Sequence, residues 1–127
     1  MRALILPLAL AGCMAADDAL GDTAREELDR ELAGRVAGAP QDCVPQVQAQ
    51  SLRVVDSRTV VYRGLDAIWV NRLRAACPGL RPTSTLIVEP FGDRYCRGDR
   101  IRGIEPGGSI PGPICVLGAF TPYRPAR

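Results

Sequence analysis

The spacing of apolar residues changes near Cys43. Before it, Ala24, Leu28 and Leu32 recur every four residues with Asp29, Arg30 and Glu31 between them, which puts an apolar stripe on one face of a helix. Thr23-Ala24-Arg25-Glu26 has capping-box form, so the helix is expected to begin at Thr23 after a polar tether from Met14 to Asp22. Gly34 or Gly38 ends it, and Pro40 blocks continuation. From Cys43 onward, short alternating or apolar runs predict strands at Leu52 to Val55, Thr59 to Tyr62, Ala67 to Val70 and Thr85 to Glu89. Further runs lie at Tyr95 to Cys96, continuing or restarting at Arg100 to Ile104, and at Ile114 to Leu117. Asp56-Ser57, Gly64-Leu65-Asp66, Pro78-Gly79, Gly92-Asp93, Gly98-Asp99 and the Pro106 to Pro113 segment supply turn chemistry between them. Val60, Tyr62, Ile68, Val70, Leu86, Val88, Ile101 and Val116 are the expected inward positions. The expected fold is therefore mainly β (α+β). It is a small, strongly bent antiparallel sheet or partly closed barrel with one N-terminal amphipathic helix packed across an open side. The Arg- and Pro-rich segment from Thr121 to Arg127 is expected to be a frayed end.

The extreme N-terminus reads differently. Arg2, a short apolar run and then Leu10-Ala11-Gly12-Cys13 have the form of a bacterial lipoprotein signal. On this reading residues 1–12 are removed and Cys13 carries diacylglycerol and a further acyl chain. Each buried acyl CH₂ contributes about 0.8 kcal/mol, so two or three chains anchor a protein lastingly. The run from Ala3 to Leu10 is too short for a membrane span. Cleavage after Ala15 by an ordinary secretory route is the competing reading, and it would discard Cys13. Twelve residues is short for such a signal, which leaves room for a true start upstream of Met1. The expected organisation is a signal (residues 1–12), a lipidated tether (13–22) and a single β-rich domain with its leading helix (23–127).

Setting Cys13 aside leaves Cys43, Cys77, Cys96 and Cys115, an even set for an oxidising compartment. Three connectivities are open. The preferred one joins Cys43 to Cys115, tying the ends of the body, and Cys77 to Cys96, closing a short loop. A metal site is disfavoured, because no C-x-x-C pair and no histidine occur in the chain.

Charge and chemistry narrow the functional classes. All sixteen basic residues are arginine. Cys13 to Asp42 carries three arginines against eight carboxylates, whereas Cys43 to Arg127 carries twelve against six. The acidic front folds against the basic body, or both are merely solvated, or the body is left to an anionic partner; the first two readings are preferred, because the arginines are scattered singly. Without histidine or lysine there is no Ser/His/Asp system, Ser/Lys dyad or Schiff base. The carboxylates of the body, Asp56, Asp66, Glu89, Asp93, Asp99 and Glu105, are the remaining acid–base candidates, and four of them fall at turns. Catalysis is not expected, and no cofactor or metal is implied. An exported protein rarely meets nucleic acid, so none is expected as a partner.

Binding is the stronger class. Tyr62, Trp69, Phe91 and Tyr95 with Arg63, Arg72, Arg74, Arg94 and Arg97 form an aromatic and guanidinium surface if they share an exposed face. The competing reading places the aromatics in the core. Alternation points Trp69 away from Ile68 and Val70, so inward neighbours imply an outward Trp69. The candidate binding residues are Trp69, Arg72, Arg74, Arg94 and Arg97. The Pro106 to Pro113 segment is the one candidate for a projecting inhibitory loop.

Several segments taken together resemble a known but uncharacterised family. They are Leu32-Ala33-Gly34-Arg35, Gly38-Ala39-Pro40 with Cys43, Asp56-Ser57-Arg58-Thr59, Val70-Asn71-Arg72-Leu73, Cys77-Pro78-Gly79-Leu80, Cys96-Arg97-Gly98-Asp99 and Cys115 to Phe120. The family comprises small exported bacterial proteins, frequent in alphaproteobacteria and known only as a domain of unknown function. The resemblance spans roughly Leu32 to Tyr123 and implies a Gram-negative envelope and a shared cysteine framework, but no activity. Met14 rather than Asp after Cys13 points to the periplasmic face of the outer membrane; a soluble periplasmic protein is the alternative. The expectation is a lipid-anchored envelope protein acting as a binding or structural accessory module. Its partners would be the membrane, through lipid, and an envelope protein or anionic polymer.

Overall fold

The computed structural model describes residues 14–47, 51–90 and 92–127, with side chains from residue 20 onward. The lipoprotein signal, Cys13 and Phe91 lie outside the described residues. Helix α1 (Met14–Leu32) precedes strands β1 (Arg35–Ala37), β2 (Cys43–Pro45), β3 (Arg53–Asp56), β4 (Thr59–Arg63) and β5 (Ile68–Arg72). Then follow β6 (Thr85–Glu89), β7 (Arg94–Cys96), β8 (Arg100–Ile104), β9 (Cys115–Val116) and β10 (Phe120–Pro125). The strands form three antiparallel sheets, ordered β1-β10-β5-β4-β3, β6-β8-β9 and β2-β7. The mainly β architecture with one helix is as expected, but the sheets do not close into a barrel.

The main sheet is buried on both faces, which explains why β4 and β5 each carry four consecutive buried residues. Cross-strand partners share a face, so Val61 with Val70 and Arg63 with Ile68 lie on one side, and Val60 with Asn71 and Tyr62 with Trp69 on the other. Leu28, Ala24 and Leu32 of α1 cover the first side, packing with Val55, Val61, Ile68, Val70 and Tyr123. Full burial of one such leucine contributes about 2 kcal/mol. Val44, Leu73, Leu80, Ile101, Leu117 and Phe120 join Val54, Val60, Tyr62 and Trp69 on the second side.

Helix α1 starts at Met14 rather than Thr23, and Thr23 lies within it instead of capping it. The alanine-rich sequence from Ala15 to Ala19 has high helix propensity, and the segment expected as a tether is helical. At its other end the chain turns at Gly34, whose φ of 74° suits glycine, directly into β1. At β9 and the residue after it, Cys115 and Leu117 are buried and Val116 is only partly covered, so the inward set there is shifted by one residue.

The largest correction concerns the C-terminus, which is no frayed end. β10 lies between β1 and β5 in the main sheet, with Pro122 opposite Trp69. Proline is unusual in a central strand because it has no N–H. Here the Pro122 carbonyl accepts from the Gly38 amide, just past the end of three-residue β1. The missing donor therefore faces the tip of a short strand, and one bond is forgone.

The disulfides also differ from the preferred pairing: they join Cys43 to Cys96 and Cys77 to Cys115. Antiparallel pairing of β2 with β7 sets Cys43 directly opposite Cys96, with Cα atoms 4.1 Å apart. The Cys77 amide donates to the Ser57 carbonyl, bringing the segment after β5 against the core beside β9. Strand β2 was not anticipated, because its three residues include Pro45. Without it, the partner of Cys43 is invisible.

Candidate functional site

Trp69, the expected outward aromatic, is only 6% exposed. It does point opposite to Ile68 and Val70, but that second face is covered as well as the first, so alternation no longer distinguishes core from surface. Its indole lies against Gly64, and the Arg124 guanidinium sits 5.5 Å from its ring centroid while pairing with Asp66 at 3.4 Å. Trp69 is thus withdrawn from the candidate surface. Tyr62 is buried too: its hydroxyl donates to the Pro45 carbonyl at 3.1 Å and accepts from the Val47 amide, clamping the segment after β2. Tyr95 packs edge-on against it, ring centroids 5.3 Å apart. Burial, and secondarily the neighbouring Tyr62, raise the Tyr95 phenol above its ordinary value.

Arg72, Arg74 and Arg97 are all exposed, and three backbone bonds place them on one end of the molecule. Leu73 N donates to the Arg58 carbonyl, Arg74 N to that of Val116, and Gly98 N to that of Leu117. The Arg74 guanidinium reaches to 4.0 Å of the position a Cβ would take at Gly98. Arg58, in the β3–β4 turn, joins them, although it stood outside the expected set. Among the described residues none of these four arginines pairs with a carboxylate; the Arg72 guanidinium donates only to the Thr59 hydroxyl, at 3.5 Å. Arg94 is exposed at the far end of β7, opposite Pro45, and is not part of the group.

The tripeptide-scale motifs beneath this surface are scaffold. Asp56 accepts from the Arg58 amide and braces the β3–β4 turn. Asp99, buried, accepts from the Cys96 amide through its carboxylate, while its own amide donates to the Cys96 carbonyl. Asn71, also fully buried, donates to the Gly118 carbonyl at 2.7 Å and accepts from the Gly118 amide at 2.9 Å. A Cβ at Gly118 would overlap the Arg72 carbonyl, so this close approach requires glycine.

One further feature went unsignalled in the sequence, whereas the Pro106 to Pro113 loop was expected. A groove of about 470 Å³ runs beside β3 and the start of β6, lined by Glu31, Arg53, Val54, Val61, Arg63 and Leu86 among others. In it Glu31 of α1 pairs with Arg53 at 2.7 Å and Arg63 at 3.1 Å. The three residues come from three separate elements, and no local spacing relates them. The Pro106 to Pro113 loop is fastened at its base: Gly108 N donates to Glu105 O, Gly112 N to Gly103 O, and the Arg102 side chain to Gly112 O. Ile110 near its tip is 85% exposed.

Among the described residues there is no group of three potential metal ligands and no helix long and apolar enough to cross a membrane. Comparison with known protein families, with characterised proteins and with solved structures finds nothing that matches this chain.

Proposed function

We propose that this chain is an exported binding module of the bacterial envelope, held to the membrane by lipid on Cys13, that contacts an anionic envelope polymer or lipid through Arg58, Arg72, Arg74 and Arg97. Membership of the exported family its segments resemble, and an outer-membrane address, belong to the same proposal. Two disulfides fit an extracytoplasmic compartment. The observation that carries the binding role is that backbone bonds bring the segments carrying four exposed arginines to one end of a stapled scaffold, and that among the described residues none of the four pairs with a carboxylate. Guanidinium groups bind phosphate and carboxylate bidentately, which suits lipopolysaccharide phosphates or acidic headgroups.

The test uses the full chain as Cys13→Ser, which carries no lipid, with lipopolysaccharide and with phosphatidylglycerol vesicles as probes. Binding that weakens with salt, and by about tenfold or more in Arg72→Gln/Arg74→Gln/Arg97→Gln, is expected. Equal binding by the triple variant removes the proposal. A second reading, inhibition of an envelope enzyme, is favoured by the fastened Pro106 to Pro113 loop and its exposed Ile110. It predicts inhibition of a muralytic enzyme such as lysozyme that Ile110→Asp abolishes.

A further inference from the structure

Helix α1 has a fixed direction over the main sheet. Near its C-terminal end Glu31 pairs with Arg63 at 3.1 Å, and Arg63 closes β4 at the Gly64-Leu65-Asp66 turn. Further back Arg25 pairs with Asp56 at 3.1 Å, where β3 gives way to the β3–β4 turn. Gly21 borders a shallow cleft with Ser57, Gly79 and Pro82. The N-terminal end of α1 therefore leaves the body where the segments carrying Arg58, Arg72, Arg74 and Arg97 come together. Arg72 lies opposite Thr59 in the β4–β5 ladder, and the Leu73 and Cys77 amides donate to the Arg58 and Ser57 carbonyls.

The two ends of the sheet use their arginines differently. At the far end Arg63 shares Glu31 with Arg53, and Arg124 pairs with Asp66. At the near end Asp22 and Asp56 both bond Arg25, and among the described residues Arg58, Arg72, Arg74 and Arg97 are exposed without a carboxylate partner. Unpaired positive charge thus stands at the end from which α1 emerges. The helix begins at Met14, so the residue that would carry lipid, Cys13, adjoins it directly. From Arg25 back to Met14 an α-helix rises about 16 Å. A headgroup layer about 6 Å deep takes up part of that rise. At most about 10 Å then separates the headgroups from the level of Asp56, close to one Debye length at physiological salt. Tilt of the helix and the reach of arginine side chains shorten the gap further.

We infer that the arginine end is the membrane-facing end of the protein, docked on the anionic headgroups of the leaflet that holds its own lipid rather than on a free polymer. The inference rests on the proposed lipid at Cys13 and on the proposed binding role of these arginines, and it adds the partner and the orientation. Lipid and arginines act together: the anchor brings the end within reach of the headgroup charge, and the arginines hold it there. The opposite tip, where Leu65 is 90% exposed, then points away from the membrane. Asp17 and Asp18 stand between Cys13 and the body in sequence, and their charge opposes the contact.

The experiment places the acylated, nitrogen-15-labelled protein in bicelles that contain a gadolinium-chelating lipid, made of phosphatidylcholine alone or with phosphatidylglycerol. The length of β4 separates the two ends by about 15 Å, enough for distance-dependent paramagnetic broadening to tell them apart. Amide signals of Ser57, Arg58, Arg74 and Ala75 should lose intensity before those of Leu65 and Asp66, and the loss should deepen with phosphatidylglycerol. Salt near 1 M, where the Debye length is about 3 Å, should return it to the phosphatidylcholine level. Arg72→Gln/Arg74→Gln/Arg97→Gln should do the same with the thermal midpoint essentially unchanged, since these side chains are exposed. Asp17→Asn/Asp18→Asn should deepen the loss. Equal or greater loss at Leu65 and Asp66, or a loss at Ser57 and Ala75 indifferent to phosphatidylglycerol, overturns the inference. If the Cys13→Ser chain nevertheless binds lipopolysaccharide through its arginines, only the orientation falls and the binding role stands. A native chain without lipid, or a triple variant that binds as well as the parent, removes both.

Discussion

Asn71 shows how much one buried amide can fix. Both ends of its side chain are committed to the backbone of Gly118, which lies so close to Arg72 that only glycine fits. Asn71→Asp would set a carboxylate oxygen against the Gly118 carbonyl, with a buried charge and no donor between them. It should cost about 3 kcal/mol or more, seen as a lowered urea midpoint with unchanged slope. Asn71 sits inside an apolar run, where sequence pattern marks a strand but not the tertiary partner that makes the residue necessary. Tyr95 offers a second test. Its raised pKa means the folded protein keeps the phenolic proton at a pH where the unfolded chain has lost it. That contribution is complete below about pH 10 and is lost as pH rises through the folded value. Thermal midpoints measured from pH 8 upward should therefore fall above pH 10, less steeply in Tyr95→Phe.

Among the elements, β10 carries the clearest consequence. A frayed tail could be cut without effect, whereas removal of residues 121–127 takes out the strand that joins β1 to β5. The truncated chain should lose its cooperative unfolding transition by circular dichroism and expose apolar surface to a hydrophobic dye. The helix face of Ala24, Leu28 and Leu32 was legible because helical periodicity depends only on local spacing. So were the strands from β3 to β6 and β8, which carry enough β-branched or alternating residues to stand out. Strands β1, β2 and β10 were hidden because two contain proline and two have only three residues. Their partners, not their composition, make them strands.

For the whole molecule, one measurement joins compartment, anchor and staple. Intact mass of protein from native membranes, before and after reduction and alkylation, should give a chain beginning at acylated Cys13 with four thiols protected until reduction. Proteolytic fragments taken without reduction should link Cys43 to Cys96 and Cys77 to Cys115. An unacylated chain beginning after Ala15 would make it a diffusible protein, and five free thiols would remove the export reading. In the chain-entropy account, loops of 53 and 38 residues make each bridge worth about 4 kcal/mol, a large share for a core this size.

The sequence by itself determined the β-rich class, the apolar face of the helix, most strand positions and the pool of bonding cysteines. Each of these follows from spacing and residue type over a few positions. Tertiary structure alone decided the disulfide partners, the burial of Trp69, the central place of β10 and the approach of the segments that carry Arg58, Arg72, Arg74 and Arg97. All four depend on which elements lie against one another. Alternation tells which side of a strand a residue occupies, but only the layers packed above and below determine whether that side meets water.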